Sequence, residues 1–189
     1  MNEIIKNIHE RRSVRFFYQK PVPRDILQQV LDAGNAAPSG MNSQGWRFAV
    51  VESADNRRKL SAITLPKYKS WLAEADQSVK DRRAKVDAIV KDPVYYDAPV
   101  VIFVIGVGTV TQDNDCPMVC ENMMLAARAL GLGSCWVYFG LKALEEEPAR
   151  EMLGLNNTEK AYGPLLMGYP KEGFFPPPPP KKPAAIKWL

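Results

Sequence analysis

Residues 99–107 read PVVIFVIGV, an uncharged run rich in β-branched side chains that begins at Pro99 and contains Gly106 near its end. Apolar residues follow one another here without the polar alternation of a strand that faces water on one side. A run of this length, bounded by proline and glycine, is typical of a strand buried on both faces. We therefore predict that residues 99–107 form the central strand of a sheet.

The segments around this strand predict a chain of alternating helices and strands. Apolar residues recur every three or four positions in several segments, which indicates amphipathic helices. The helix predicted at 116–130 carries few polar residues, so we expect it to lie deep in the core. The other predicted strands are 46–51, 134–139 and 162–168, and the predicted helices are 2–12, 23–34, 56–63, 71–90, 116–130 and 144–153.

Length and composition are those of one globular domain. The chain has 189 residues, of which 46% are hydrophobic and 24% charged, and 25 Lys and Arg against 21 Asp and Glu give a net charge of +4. These values exclude a wholly disordered chain, a collagen-like chain and a disulfide-stapled miniprotein. The longest uncharged run, 98–112, is shorter than the ~20 residues that cross a bilayer, and no secretory signal is visible at the N-terminus. We therefore expect a cytoplasmic protein without a membrane span.

Residues that usually carry catalysis are scarce. His9 is the single histidine and lies in a predicted helix, so a histidine-based triad is not supported. The three cysteines are expected to be reduced and buried, and no metal-site motif is present, so we expect no metal. The glycines at 106–108 and 131–133 lack the third glycine of a dinucleotide fingerprint.

Two polar loops are the best candidates for ligand binding. Arg11-Arg12-Ser13-Val14-Arg15 ends the first predicted helix, and its guanidinium groups can give charge-assisted, bidentate hydrogen bonds to a phosphate. The same segment is compatible with a solvated helix end or a nucleic-acid patch, although acidic residues are spread along the chain and no recognition motif is visible. The second loop, 37–45, is rich in turn formers and small polar donors, which favours a ligand-facing loop over a linker.

The C-terminal tail differs from the rest of the chain. Five consecutive prolines, 176–180, predict an extended polyproline II arm. Apolar residues stand on both sides of the prolines, at Phe174-Phe175 and within 186–189, so we predict that the arm docks on a folded surface, which can belong to another subunit. A ligand for an SH3-type domain is the alternative.

Four motifs, spread in order over nearly the whole chain, resemble the nitroreductase family of flavin enzymes. Each motif is weak alone, and the four together make the resemblance specific. They are Arg11-Arg12-Ser13-Val14-Arg15, Ala37-Pro38-Ser39-Gly40-Met41-Asn42-Ser43-Gln44-Gly45-Trp46-Arg47-Phe48, Gly131-Leu132-Gly133-Ser134-Cys135-Trp136 and Leu166-Met167-Gly168-Tyr169-Pro170.

The resemblance implies an α+β fold of the nitroreductase type, with a central mixed β-sheet flanked by helices, in an intertwined homodimer with flavin mononucleotide (FMN) at the subunit interface. Residues 1–170 would form the FMN-binding domain, and 171–189 a proline-rich arm that docks on the partner subunit. In the family the basic segment contacts the flavin phosphate and ring edge, and the loop is contributed to the flavin site by the other subunit. The segment after the glycine-rich helix end lies along the ring near N5. A basic residue of the arm reaches the phosphate. The cofactor-binding residues implied here are Arg11, Arg12, Ser13, Arg15, Pro38, Ser39, Gly40, Asn42, Gln44, Trp136, Val137, Tyr138 and Phe139, with Lys181 or Lys182 from the arm.

The implied activity is that of an FMN-dependent oxidoreductase. Hydride would pass from NADH or NADPH through flavin N5 to a nitroaromatic, quinone or similar acceptor in a ping-pong cycle. The flavin carries this chemistry, so no protein residue is expected to be catalytic, and Arg15 is the candidate for the positive charge that stabilises the reduced ring near N1 and the C2 carbonyl. The alternatives are another flavin reaction on the same scaffold, such as dehalogenation or ring oxidation, and a flavin-binding electron carrier.

Residues 67–96 match none of the four motifs, and in the family this segment tends to lie near the active-site opening. Tyr68, Trp71, Tyr95 or Tyr96 could stack there on an aromatic acceptor, whereas packing in the core is the other interpretation. No ribose-reading motif distinguishes NADH from NADPH.

Overall fold

The computed structural model describes residues 1–172 and 180–189. A four-stranded sheet lies at its centre. The strands are β1 (Trp46–Val51), β2 (Val100–Gly106), β3 (Gly133–Trp136) and β4 (Lys160–Gly168). They pair antiparallel in the order β1-β2-β4-β3, so β1 and β3 are the two edges.

β2 confirms the predicted central strand, which begins at Val100 and ends at Gly106. Every residue of β2 is buried, and the strand pairs with β1 on one side and β4 on the other. Its side chains enter two separate hydrophobic cores, one on each face of the sheet. Burial on both faces explains why the run is apolar without alternation.

Six α-helices accompany the sheet in the described part of the chain. They are α1 (Glu3–Glu10), α2 (Arg24–Asn35), α3 (Ala54–Glu74), α4 (Gln77–Asp87), α5 (Gln112–Ala129) and α6 (Glu147–Met152). β1 lies where the sequence predicts it, and the ends of α1, α2 and β4 differ from the prediction by no more than two residues.

α5 confirms the predicted core helix, since seven of its residues are buried. It begins at Gln112, four residues before the predicted start. The reason is electrostatic: Asp113 and Asp115 stand in its first turn, where acidic side chains favour the positive end of the helix dipole.

The prediction of separate helices at 56–63 and 71–90 is wrong in its boundaries. α3 continues through Pro66 because Leu60, Thr64 and Tyr68, on either side of the proline, are all buried. Burial of these side chains stabilises the continuous helix by more than the loss of the backbone hydrogen bond at Pro66 destabilises it. The break between α3 and α4 comes later, at 75–76, and α4 ends at Asp87.

The predicted strand 134–139 and helix 144–153 also differ from the structure. β3 ends at Trp136, and a 3₁₀ segment occupies Tyr138–Glu145. α6 follows with Pro148 in its first turn, a position that suits proline because the first N–H groups of a helix have no partner within it.

The chain that follows α1 runs beside β3. Ser13 forms a parallel bridge with Ser134, and the Val14 N–H donates to the Ser134 carbonyl (2.9 Å). Gly133 permits this approach, because a Cβ at that position would lie 2.7 Å from the Val14 Cβ. The four described strands pair only antiparallel, so the mixed sheet expected from the resemblance is reduced to this one isolated parallel bridge. The bridge places the basic segment at the β3 edge.

An ion pair fastens the opposite edge of the sheet. Arg47 in β1 pairs with Glu159 through two bonds, Nε to Oε1 and Nη2 to Oε2, each 2.7 Å. The Glu159 side chain is 7% exposed and that of Arg47 is 34% exposed. Arg47 also donates to the carbonyls of Leu153 and Gly154. One side chain therefore joins β1, the end of α6 and the start of β4.

In the described part of the chain, no helix is long and apolar enough to cross a membrane. The same residues place no group of three or more His, Cys, Asp or Glu side chains where it could hold a metal ion. Residues 173–179, which include Phe174-Phe175 and four of the five consecutive prolines, lie outside the described residues, so the polyproline II conformation of the arm stays a prediction.

Candidate functional site

The basic segment 11–15 presents polar side chains on one side. Val14 is fully buried, while Ser13 and Arg15 are exposed. Successive side chains of extended backbone point to opposite faces. Burial of Val14 therefore turns Ser13 and Arg15 outward at the β3 edge.

Two further guanidinium groups precede these residues. Arg11 forms a long ion pair with Glu121 of α5 (3.4 Å), and Arg12 donates to the His9 carbonyl (2.6 Å). The Nε of Arg12 is buried without a hydrogen-bond partner among the described residues. A buried donor of this kind is costly when unpaired, so an anionic oxygen from a ligand fits here.

Segment 136–139 lies close to these arginines. Ser134, which is bridged to Ser13, precedes Trp136 by two residues. Val137 is buried and its N–H donates to the Pro164 carbonyl (2.9 Å), whereas Tyr138 is 76% exposed. The structure thus brings 11–15 and 136–139 together at the β3 edge.

The loop 38–44 has an unusual backbone, and we call it the strained loop. Met41, Asn42 and Gln44 have φ between 46° and 53°, a region that residues with a Cβ rarely adopt. Ser39 stabilises the turn, because its Oγ accepts from the Gln44 N–H (3.0 Å). Such strain is common at ligand-binding loops, and a ligand-facing role for this loop stays a prediction. The exposed residues of the loop are Pro38, Met41, Asn42, Ser43 and Gln44.

Asp115 of α5 fixes the strained loop, although the sequence does not single it out. Its carboxylate is 3% exposed and accepts from the Gly40 N–H (3.3 Å) and the Thr111 hydroxyl (2.6 Å). Gly40 lies so close to Thr111 that a Cβ would stand 2.5 Å from the threonine Cγ2. An acidic residue in the first turn of a helix is common for electrostatic reasons alone, so the sequence offers no signal for this role.

The two predicted halves of the site lie at opposite corners of the sheet. The basic segment borders β3 at Ser134, which pairs with Met167 of β4. The strained loop leads into β1 at Trp46, which pairs with Gly106 of β2 and through it with Lys160 of β4. Three strand spacings, and the length of β4 from residue 160 to 167, separate them by roughly 25 Å. Within one chain the strained loop and the arginines therefore do not face the same ligand.

The segment 67–96 contributes a wall of aromatic rings beside the end of β3. Trp71 is 43% exposed, and its ring centroid lies 5.5 Å from that of Phe139. Of the four rings, Trp71 alone is exposed enough to stack on an acceptor, which stays a prediction, and core packing is confirmed for the other three. Those three buried rings are Tyr68, Tyr95 and Tyr96.

Arg83 of α4 ties this wall together. Its Nε donates to the Tyr68 hydroxyl (2.7 Å), its Nη1 to the Tyr96 hydroxyl (2.6 Å), and its Nη2 pairs with Asp87 (3.0 Å). The Tyr68 hydroxyl in turn donates to Asp87 (2.6 Å). Burial, together with this carboxylate, raises the pKa of Tyr68 to about 12. Tyr68 is therefore protonated at neutral pH, and the network holds one positive and one negative charge.

The cysteines are buried and free, as the sequence predicts. Burial raises the pKa of the Cys116 thiol to about 12 and raises those of Cys120 and Cys135 as well. None of the three is a thiolate at neutral pH, so none supplies a nucleophile.

The C-terminal residues do not pack into their own chain. Every residue from 180 to 189 is exposed, including Lys181 and Lys182. Docking of the arm on a partner subunit stays a prediction.

Comparison with known proteins decides the family. The model of the nitroreductase family matches residues 8–169. The chain belongs to the nitroreductase family. The solved structure of a nitroreductase with bound FMN from Bacteroides fragilis is similar over all of both chains, with a TM-score of 0.79 and 30% identity. An Archaeoglobus fulgidus protein, provisionally named NADH dehydrogenase/NAD(P)H nitroreductase, is 30% identical over 175 residues, which are 91% of this chain and 88% of that protein. Rat iodotyrosine deiodinase 1 is 36% identical over 61 residues, 32% of this chain and 21% of that protein.

Family membership confirms the resemblance drawn from the four motifs. All of them lie within the matched residues 8–169 except Pro170. The nitroreductase-type α+β fold is confirmed as well, by the similarity of the whole chain to the Bacteroides fragilis nitroreductase.

Proposed function

We propose that this nitroreductase-family chain is an FMN-dependent oxidoreductase that takes hydride from NADH or NADPH and reduces small aromatic acceptors such as nitroaromatics or quinones. The observation that carries the proposal is the meeting of a basic segment and an aromatic segment at the β3 edge. A flat ring with an anionic end suits such a site. When bound, FMN would supply the redox chemistry at N5 of its ring. The Bacteroides fragilis nitroreductase has FMN bound, and the name of the Archaeoglobus relative includes NAD(P)H.

The charges of the basic segment fit this cofactor. Arg11 and Arg12 would hold the phosphate, where the buried Nε of Arg12 would gain an acceptor, and Ser13 would add a hydroxyl. Arg15, exposed at the same edge, would place positive charge at the pyrimidine side of the ring. No side chain of the protein is assigned a catalytic role. The residues that would line the ring are Trp136, Val137, Tyr138 and Phe139.

The functional unit would be a homodimer. The strained loop lies roughly 25 Å from the basic segment of its own chain, so it would complete the site of a second copy. Ile4, Ile5 and Ile8 of α1 are 70%, 45% and 45% exposed, an apolar surface that a second copy can cover. The arm 171–189 of one copy would dock on domain 1–170 of the other copy, where Lys181 or Lys182 would reach the phosphate. The loop residues contributed to the partner's site would be Pro38, Ser39, Gly40, Asn42 and Gln44.

Both substrates would bind in turn at the same face. Trp71 and Tyr138 expose aromatic surface beside the proposed ring site, which suits a flat nicotinamide and then a flat acceptor. Shared use of one face requires a ping-pong cycle, which gives parallel lines in double-reciprocal plots. Intersecting lines would contradict it.

The proposal is tested by the absorbance spectrum of the purified protein, followed by anaerobic addition of NADH to one sample and NADPH to another. A flavin spectrum that bleaches supports the oxidoreductase and identifies the preferred donor. Bound flavin that neither nucleotide reduces would favour an electron carrier. No flavin after reconstitution with FMN would refute the proposal.

Loss of either phosphate-binding arginine is expected to weaken FMN binding. Arg11→Ala or Arg12→Ala would remove a charged hydrogen-bond donor, costing about 1.5–3 kcal/mol, or roughly a 10- to 150-fold rise in Kd. Quenching of flavin fluorescence measures this Kd. Arg24→Ala is the matched control, because Arg24 is an exposed arginine paired with Glu52 and away from the β3 edge. Unchanged affinity in both variants would show that the basic segment does not bind the phosphate.

Reductive dehalogenation is the second candidate, favoured by the 61-residue match with iodotyrosine deiodinase 1. It would use the same flavin site with a halogenated aromatic acceptor. Halide release from a halophenol or halotyrosine by the reduced protein, compared with nitroaromatic reduction, separates the two candidates.

A further inference from the structure

We propose that Tyr96 is a positioning residue that holds the Arg15 guanidinium at the flavin ring, and that Arg83 fixes Tyr96 in place. This assignment rests on the proposed function, in which Arg15 stabilises the reduced flavin. It connects α4, which carries none of the family motifs, to the electronic properties of the cofactor.

Arg15 is held only loosely by its own segment. It is exposed, and its Nη1 donates to the Ser13 carbonyl over a long 3.3 Å. Its guanidinium carbon lies 5.9 Å from the centroid of the Tyr96 ring, within the range of a cation–π attraction. The Tyr96 ring is 7% exposed, so it offers a rigid surface to a flexible side chain.

Tyr96 lies in a turn whose backbone is strained and is held by several hydrogen bonds, which fixes the position of the Tyr96 ring. Tyr96 and Asp97 have φ of 51° and 52°, which is unfavourable for residues with a Cβ. The Asp97 carboxylate accepts from the N–H groups of Lys91 (2.8 Å) and Asp92 (3.0 Å), and the Tyr96 N–H donates to the Asp92 carbonyl (2.9 Å). Backbone strain that several hydrogen bonds maintain is typical of functional positions. We therefore infer that the orientation of the Tyr96 side chain matters for function.

Arg83 holds the other end of the Tyr96 side chain. Its bond to the Tyr96 hydroxyl is short (2.6 Å), and the Arg83 side chain is only 17% exposed. The paired Asp87 balances its charge, so Arg83 can lie near Arg15 with little repulsion.

Cys135 of β3 lies within the electrostatic influence of the same arginines. Burial raises the pKa of its thiol, and the positive charges of Arg15, Arg11 and Arg83 oppose that rise. Three guanidinium groups therefore act on one point of β3, directly before Trp136.

The test is the midpoint potential of bound FMN, measured by anaerobic titration with a reference dye. A cation near the ring favours the anionic reduced form, so its loss makes the potential more negative. We expect R15A to lower the ratio of reduced to oxidised flavin about tenfold, which is ~30 mV for a two-electron couple. Tyr96→Leu should lower it roughly three- to tenfold, and Tyr96→Phe, which keeps the ring, less than Tyr96→Leu. In the R15A background Tyr96→Leu should add nothing, because the cation that it positions is gone.

Tyr162→Leu is the matched control. Tyr162 is also 7% exposed, carries Lys160 at 5.2 Å from its ring centroid and donates its hydroxyl to Asp113. It belongs to the core on the opposite face of the sheet, so its loss should leave the flavin potential unchanged.

The outcomes separate this assignment from the proposed function. No FMN binding by the wild-type chain would refute the proposed function itself. An unchanged potential in Tyr96→Leu when R15A shifts it, or additive shifts in the double variant, would overturn the positioning role. If Tyr96→Leu fails to fold, Tyr96→Phe decides, since it keeps the buried ring and loses only the hydroxyl that Arg83 holds. A more negative potential in Tyr96→Phe that is absent in the R15A background supports the role, and a wild-type potential in Tyr96→Phe contradicts it.

Discussion

Replacement of Arg47 by methionine is expected to lower the free energy of unfolding by about 2–4 kcal/mol. The substitution leaves the Glu159 carboxylate, only 7% exposed, without its bidentate partner. It also removes the donors to the carbonyls of Leu153 and Gly154. The loss is smaller than for a fully buried pair because the Arg47 side chain is 34% exposed. Urea unfolding at neutral pH measures the effect.

Arg58→Met is the control for this prediction. Arg58 pairs with Asp55 on the surface, where both side chains are more than 70% exposed, so its loss should cost less than about 1 kcal/mol. Glu159→Gln in the Arg47→Met background should recover part of the loss, because it removes the buried unpaired charge. No recovery would show that the damage has another cause.

The same pair predicts a pH dependence. The hydrogen bonds from Arg47 lower the pKa of Glu159 from 4.5 to about 2 in the folded protein. A carboxyl with a depressed folded-state pKa stabilises the protein above its unfolded pKa, and this stabilisation is lost as pH falls. The stability difference between wild type and Arg47→Met should therefore be full near neutral pH and shrink toward pH 2, because the buried, unpaired Glu159 of the variant takes up a proton at higher pH than that of the wild type. A constant difference over that range would contradict the assignment.

Gly133→Ala is expected to weaken both the fold and FMN binding. The added Cβ would lie 2.7 Å from the Val14 Cβ and 2.8 Å from each Val14 Cγ, in a place where Val14 is fully buried. The segment that carries the arginines would have to move away from β3. We expect a loss of about 1–3 kcal/mol in stability and at least tenfold weaker FMN binding, measured by urea unfolding and fluorescence titration.

Gly131→Ala is the control that separates the loss of stability from the loss of FMN binding. Gly131 is two residues away and has φ of 76°, but a Cβ there would meet nothing within 4 Å. Alanine at this position costs about 1 kcal/mol through backbone strain and should leave FMN affinity intact. Val14→Ala should partly rescue Gly133→Ala, because it removes both Cγ atoms. Equal FMN loss in the Gly131 and Gly133 variants would mean that general destabilisation, and not the displaced arginine segment, is responsible.

Much of the fold is predictable because its determinants are local. β2 is recognisable from a continuous apolar run between Pro99 and Gly106, and β1 from a short apolar segment after a turn-rich loop. The predicted helix end at 63 is wrong for a non-local reason: burial of Tyr68, beyond Pro66, keeps α3 continuous. Local rules place a helix end at proline because they cannot weigh that packing.

The candidate site divides in the same way. The basic segment and the strained loop are visible in the sequence, since clustered arginines and consecutive turn formers are distinctive on their own. Asp115 and Arg83 are not visible, because their functions depend on partners distant in the chain: Asp115 binds Gly40, 75 residues away, and Arg83 binds Tyr96, 13 residues away. The separation of the strained loop from the arginines is equally hidden, because it follows from the order of the strands.

Because the basic segment and the strained loop lie at opposite corners of the sheet, the number of complete sites would depend on the concentration of the chain. In the proposed dimer each site needs arginines from one chain and a loop from the other, so an isolated chain holds two incomplete halves. At high dilution the number of complete sites would fall with the square of the chain concentration. A cofactor that binds only complete sites would in turn favour pairing of the chains, so the supply of FMN would help to set the assembly state of the enzyme as well as its activity.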